Sequence, residues 1–191
     1  MGIHKANKIR EGTGRLRKIK LYIAISLNGK IARPDGSVEW LENIPNPEKT
    51  DYGYEDFLNS VDTTIQGYNT YNQIIGWGIE FPYKGKKNYV LTGKKDVVNT
   101  EFVEFITENH AEFIKRLKEE NGGDIWLIGG SQVNTLVLNA GLLDEIIVFV
   151  MPIIISGGIE LFDAFPKETK LKLIGTKSYS SGVVELKYKI D

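Results

Sequence analysis

The chain has 191 residues, 41% of them hydrophobic and 26% charged, with a net charge of -1 at pH 7, two histidines and no cysteine. That size and balance describe one globular domain whose core needs no metal or disulfide, and the missing thiols exclude a cysteine nucleophile and any thiolate metal cluster. With only His4 and His110, near-neutral charge, no apolar run approaching the ~20 residues of a membrane span and no secretory leader, we expect a cytoplasmic protein with no metal site, whose partner is a small molecule rather than nucleic acid or a membrane.

Residues 1–18, MGIHKANKIREGTGRLRK, set Lys5, Lys8, Arg10, Arg15, Arg17 and Lys18 against the single acid Glu11 and show almost no apolar period. They read as a solvated basic tail, an arm for polyanions being the alternative, and residues 19–191 as the domain. From Ile19, IKLYIAISL is a first strand and NGKIARPDGS a loop with turn chemistry at Asn28-Gly29 and Asp35-Gly36. A polar, proline-bearing stretch after Trp40 leads to a short helix ending near Asn59, then VDTTIQG reads as a strand and YNTYNQII as a helix. KNYVLTG and FVEFI are further strands, and an amphipathic helix is predicted from Ala111 to about Glu120.

Next, IWLI (125–128) runs as a short strand into Gly129-Gly130, Ser131 stands where an N-cap belongs, and Val133, Leu136, Val137 and Ala140 recur at helical spacing until Gly141. DEIIVFVMPIII predicts a long strand over 144–155, SGGIELF a tight loop, and KLKLIGTKSYSSGVVELKYKI a hairpin turning at Ser181-Gly182. Strands alternating with helices imply parallel crossovers. The predicted fold is therefore α/β: one mixed, mostly parallel sheet with helices on both faces and a C-terminal antiparallel hairpin.

A strand that enters a helix through glycines aims free backbone N–H groups and the positive end of the helix dipole at one small volume, which suits a phosphate. Close packing of strand on helix is the plainer reading of the same glycines. Neither GxGxxG nor the P-loop pattern occurs in the chain. Four turns should fall at the carboxyl ends of strands, where α/β sheets bind ligands: 26–29, 67–70, 92–95 and 129–132.

Taken in order, AISLNGKIA (24–32), DGSVEWL (35–41), DYGYEDF (51–57), QGYNTY (66–71), FPYKGKKNYVLTG (81–93), IGGSQVNTLVLNAGLLDEI (128–146) and PIIISGGIELF (152–162) resemble the dihydrofolate-reductase-like superfamily, and more closely its riboflavin-biosynthesis reductase branch. The resemblance covers residues 19–190 and implies a nicotinamide dinucleotide, usually NADPH, lying across the sheet. By position it puts Ala24, Ile31 and Ala32 beside the nicotinamide; Gly67, Asn69 and Thr70 at phosphates; Thr92, Gly93 and Lys94 near the adenosine ribose; and Gly129, Gly130, Ser131, Gln132 and Val133 at the pyrophosphate. For Ala24, Ile31 and Val133, core packing is the alternative. Tyr68 stands where relatives carry an arginine that binds the 2'-phosphate, which leaves NADH open as the cofactor. Lys94 and Lys95 offer point charges without the guanidinium fork.

Hydride transfer needs few side chains beyond a proton source. Asp51 is the candidate catalytic acid, by analogy with the acidic residue at a helix start in dihydrofolate reductases, with an N-cap role as the alternative; Asp35 reads as a turn residue. Ser26, Asn28 and Lys30 are candidate substrate contacts or shapers of the loop over the nicotinamide, and Trp40 is a candidate stacking surface or core residue. The resemblance thus implies a stand-alone, homodimeric NADPH-dependent reductase of a small heterocycle, similar to the one that reduces a phosphoribosylaminouracil. A dihydrofolate reductase and a nucleotide-binding protein without robust catalysis are the alternatives.

Overall fold

The computed structural model describes residues 16–191. In chain order it holds β1 (Ile19–Ser26), β2 (Lys30–Ala32), α1 (Tyr54–Asn59), β3 (Val61–Gly67), α2 (Tyr68–Gly76), β4 (Lys87–Leu91), β5 (Glu104–Ile106), α3 (His110–Glu119), β6 (Asp124–Gly129), α4 (Ser131–Asn139), β7 (Glu145–Met151), β8 (Ile159–Glu160), β9 (Leu171–Ser178) and β10 (Val184–Ile190), with a 3-10 turn at Glu39–Leu41. Eight strands form one sheet in the order β5-β4-β3-β6-β1-β7-β10-β9, while β2 and β8 form a separate pair. The first six are mutually parallel; β10 runs antiparallel to both β7 and β9. The predicted mixed sheet, with helices on both faces and an antiparallel hairpin at the end, is the fold observed.

Two cores explain the burial on both faces. On one, Ile19, Leu21, Ile65, Ile125 and Leu127 pack under Ile114 and Leu117 of α3 and Val133 and Val137 of α4. On the other, Trp126, Ile147 and Phe149 meet Phe57 of α1, Ile74 of α2 and the fully buried Trp40. Side chains alternate between sheet faces, so one strand serves both cores, and the central strands read as near-continuous apolar runs.

The structure departs from the expectations in four places. The strand predicted over 144–155 ends at Met151 because Pro152 has no N–H for a ladder, and the chain turns there with Ile153 N donating to Met151 O at 2.8 Å. Both polar loops, 28–37 and 156–162, contain a strand, and the two pair as β2 and β8. Ser131 is the first residue of α4, not its N-cap; Gly130 holds that position, with no side-chain cap. Arg17 and Lys18, assigned by charge to the tail, belong to the fold. Arg17 is 2% exposed, and its guanidinium donates to Gly123 O (2.6 Å), Thr63 Oγ1 (2.5 Å) and the Asp62 carboxylate. The rest of the predicted tail, residues 1–15, lies outside the described residues.

Candidate functional site

The carboxyl ends of β1, β3, β4 and β6 open on one cleft of about 1300 Å³. Its floor is a pair of strand-to-helix turns. The parallel register that sets Gln66 of β3 against Gly129 of β6 brings the two turns side by side. Gly67 caps α2 and Gly130 caps α4, so two nine-residue helices begin at the same floor and their unpaired N–H groups and dipoles converge there.

Neither cap has room for a side chain without movement. A Cβ on Gly67 would lie 3.1 Å from Val133 Cγ2, and one on Gly130 would lie 3.3 Å from Thr70 Oγ1. The Gly129–Gly130 peptide is cis and Gly129 has φ 121°, a region that disfavours any Cβ.

The β4 end supplies one wall. Thr92 N donates to Ile106 O at 3.0 Å, Thr92 Oγ1 accepts from Lys94 N at 3.1 Å, and His110 Nε2 lies 3.2 Å from Thr92 O. Lys94 Nζ sits 4.4 Å from the centre of the Tyr68 ring, so Tyr68 holds a cation against its face.

The opposite wall comes from β1, the β2–β8 pair and the loop 33–38. Gln73 Nε2 donates to Gly36 O at 2.8 Å and ties that loop to α2. Asp35 Oδ1 accepts from Ser37 Oγ at 2.7 Å and Ser37 N at 2.9 Å; the hydroxyl bond, then the amide bond, hold the Asp35 carboxyl below its ordinary range. Gly158, with φ 138°, passes so close to β2 that a Cβ would sit 2.3 Å from Ala32 O. The loop 153–158 and β2 are thereby pressed together at the mouth.

Ala24, Ile31, Ala32, Gly67, Asn69, Thr70, Thr92, Gly93, Lys94, Gly130, Ser131, Gln132 and Val133 all line this cleft. Gly129 lies behind it, its missing Cβ facing Asn134 and Ile23. The turn 26–29 does not contribute. Ser26, fully buried, donates to Asn28 Oδ1 (2.8 Å) and accepts from Lys30 N (3.0 Å). Asn28 pairs with both backbone groups of Ile155, donating to its O at 3.0 Å and accepting from its N at 3.2 Å. Lys30 pairs with Glu160. These side chains fasten the loop and do not line the cleft.

Trp40 is core, and Asp51 stands apart from the cleft lining. Asp51 precedes the Gly53 cap of α1 and accepts from Gly53 N (2.9 Å) and Glu55 N (3.0 Å), and those amides, Glu55 first, hold its carboxyl below the ordinary range. An ionised, exposed carboxylate is a poor proton donor. In its place the cleft brings up residues that the sequence reading did not single out: Gln73, Trp77, Tyr83 and Asp163. Of these only Trp77 carries a local signal, as a large aromatic between Gly76 and Gly78. Burial pushes the Tyr83 hydroxyl up, so it stays a neutral phenol. Among the described residues no helix is long and apolar enough to cross a membrane.

The sequence and fold have close relatives. The model of the RibD C-terminal domain matches residues 83–185. Two Bacillus subtilis (strain 168) proteins, both named as uncharacterized, are similar: YwjB is 42% identical over 167 residues, spanning 87% of this chain and 95% of its own, and YyaP is 32% identical over 186 residues, spanning 90% and 94%. A solved structure from Shewanella sp. PV-4, provisionally named for riboflavin biosynthesis, superposes with TM-score 0.81 at 24% identity over 91% of this chain and 99% of that one. The Thermotoga maritima diaminohydroxyphosphoribosylaminopyrimidine deaminase/5-amino-6-(5-phosphoribosylamino)uracil reductase gives TM-score 0.68 at 17% identity over 92% of this chain and 57% of that longer one. At those identities the two structures speak to the fold alone. The matched domain and the two relatives aligned over most of their length together establish that this chain belongs to the RibD C-terminal domain family.

Proposed function

We propose that the chain is an NADPH-dependent reductase of a small heterocyclic substrate, similar in reaction type to 5-amino-6-(5-phosphoribosylamino)uracil reductase. One observation carries the reading: Gly67 and Gly130, the caps of two converging helices, sit where a Cβ would crowd Val133 and Thr70, and they form a backbone cradle at the floor of a cleft of about 1300 Å³.

In this reading Gly130, Ser131, Gln132 and Val133 hold the diphosphate together with Gly67, Asn69 and Thr70. Thr92, Gly93 and Lys94 meet the adenosine ribose, and Ala24, Ile31 and Ala32 border the nicotinamide. A reduced nicotinamide held there would supply a hydride to an electrophilic carbon of the substrate, whose heteroatom would take a proton from solvent. The chain itself orients the two partners: Ile31 and Ala32 line the wall of the cleft, and the Ser26–Asn28–Ile155 fastening anchors the turn that precedes them. Lys94 is a single point charge for a 2'-phosphate, without the fork of an arginine, so NADPH should be preferred over NADH by a modest factor.

Fluorescence titration with NADPH and NADH tests binding, and loss of the NADPH absorbance band with the uracil substrate or with dihydrofolate tests turnover. Saturable NADPH binding with turnover is expected. The second reading, a nucleotide-binding protein without robust catalysis, draws its support from Asp51, whose carboxylate is engaged by the Gly53 and Glu55 amides; saturable binding with no turnover would favour it. Absence of any NADPH or NADH binding overturns both.

A further inference from the structure

We infer that Trp77 is the stacking wall for the substrate, and that this substrate is a flat, unphosphorylated ring, uncharged or cationic. The inference rests on the reductase reading and narrows its substrate class.

Trp77 follows α2 and is 49% exposed, yet it lines the cleft. Gln73, one helical turn earlier, donates to Gly36 O, so the same face of α2 leans on the loop 33–38 and carries Trp77 to the end of the cleft beside that loop. The cleft lining also includes the apolar Val38 and Leu41, which follow that loop, and Ile74 of the same helix. A large indole left half in water at such a cleft is a surface for a planar partner. It stands where Trp40, fully buried, cannot serve.

Charge decides the rest. The cations of the loop are committed, Arg33 to Glu39 and Lys30 to Glu160. The charged group that the loop 33–38 itself turns toward a ligand is a carboxylate, Asp35, held ionised by Ser37. A phosphate brought there would face like charge and no spare guanidinium or ammonium, whereas a neutral or cationic ring would not. Lys94 lies across the cleft, against Tyr68, at the cofactor's adenosine side.

The test uses a matched pair: 5-amino-6-(5-phosphoribosylamino)uracil and the same riboside without its phosphate, each titrated calorimetrically into the NADP-saturated full chain. The riboside should bind about tenfold tighter than the phosphorylated compound. Trp77→Ala should weaken riboside binding about tenfold, the scale of one ring stacked on an aromatic, and Trp77→Phe should restore most of it. Asp35→Lys should narrow the gap between the two ligands. Equal or tighter binding of the phosphorylated compound, binding of neither, or an unchanged riboside affinity in Trp77→Ala overturns the inference. If the wild-type chain does not bind NADPH at all, the reductase reading itself has failed, which the cofactor titration reports separately.

Discussion

The two ends of the central sheet are built from opposite materials. At the amino ends of its parallel strands, charged side chains interlock: Lys20 pairs with Asp124 at 2.9 Å, Lys118 with Asp144 at 2.6 Å and Lys18 with Glu145 at 2.5 Å, while Arg17 joins Asp62, Thr63 and Gly123. At the carboxyl ends, glycines and helix starts leave the main chain bare around an open cleft. One end closes the fold with side chains. The other offers backbone to a ligand. Parallel strands make this division possible, because every crossover returns its helix start to the same rim.

Three substitutions would sharpen or break that contrast. The largest effect is expected at Arg17, whose side chain is 1% exposed. Arg17→Leu removes a buried cation from several partners and strands the polar groups around it, which should cost about 3 kcal/mol in urea unfolding while leaving NADPH affinity unchanged. A matching loss of NADPH binding would mean that the two ends are not separable.

Gly130→Ala should do the reverse. The backbone at Gly130 tolerates alanine, but the new Cβ would press on Thr70 Oγ1 and fill the cradle. NADPH affinity should fall about tenfold, or about 1.4 kcal/mol, with the urea midpoint little moved. Unchanged affinity would remove the diphosphate from this floor.

The smallest effect belongs to Asp51, which is not part of the cleft lining. Its folded carboxyl lies below its ordinary value of 3.8, held first by the Glu55 amide and then by that of Gly53. A depressed folded value means that this contribution is fully present above the unfolded value and is lost as pH falls through the folded one. Asp51→Ala should therefore lower the melting temperature at neutral pH, and the gap to wild type should close as pH drops below about 4. NADPH turnover should persist in this variant; its loss would return Asp51 to the chemistry.

How much of this was legible in the sequence depends on which material carried it. The turns at Gly67 and Gly130 are local: a strand that stops at glycine and starts a helix advertises its own bare amides, and their shared rim follows from the alternation of strands and helices. Two of the misreadings involve partners distant in the chain. Arg17 looked like part of a basic tail because its acceptors, Asp62, Thr63 and Gly123, are more than forty residues away. Ser26 and Asn28 looked available to a substrate, yet Asn28 is satisfied by Ile155, 127 residues on.

Composition, period and glycine spacing thus determined the class of fold, its parallel core and the backbone-lined rim, since these rest on short-range geometry repeated along the chain. Only the tertiary structure decided how several candidate side chains stand to the cleft: it buried Trp40, turned Trp77 outward and tied Lys30 to Glu160. The reason is physical. A side chain's availability is set by whichever partner packing delivers to it, and that partner is chosen by the crossing of strands far apart in sequence.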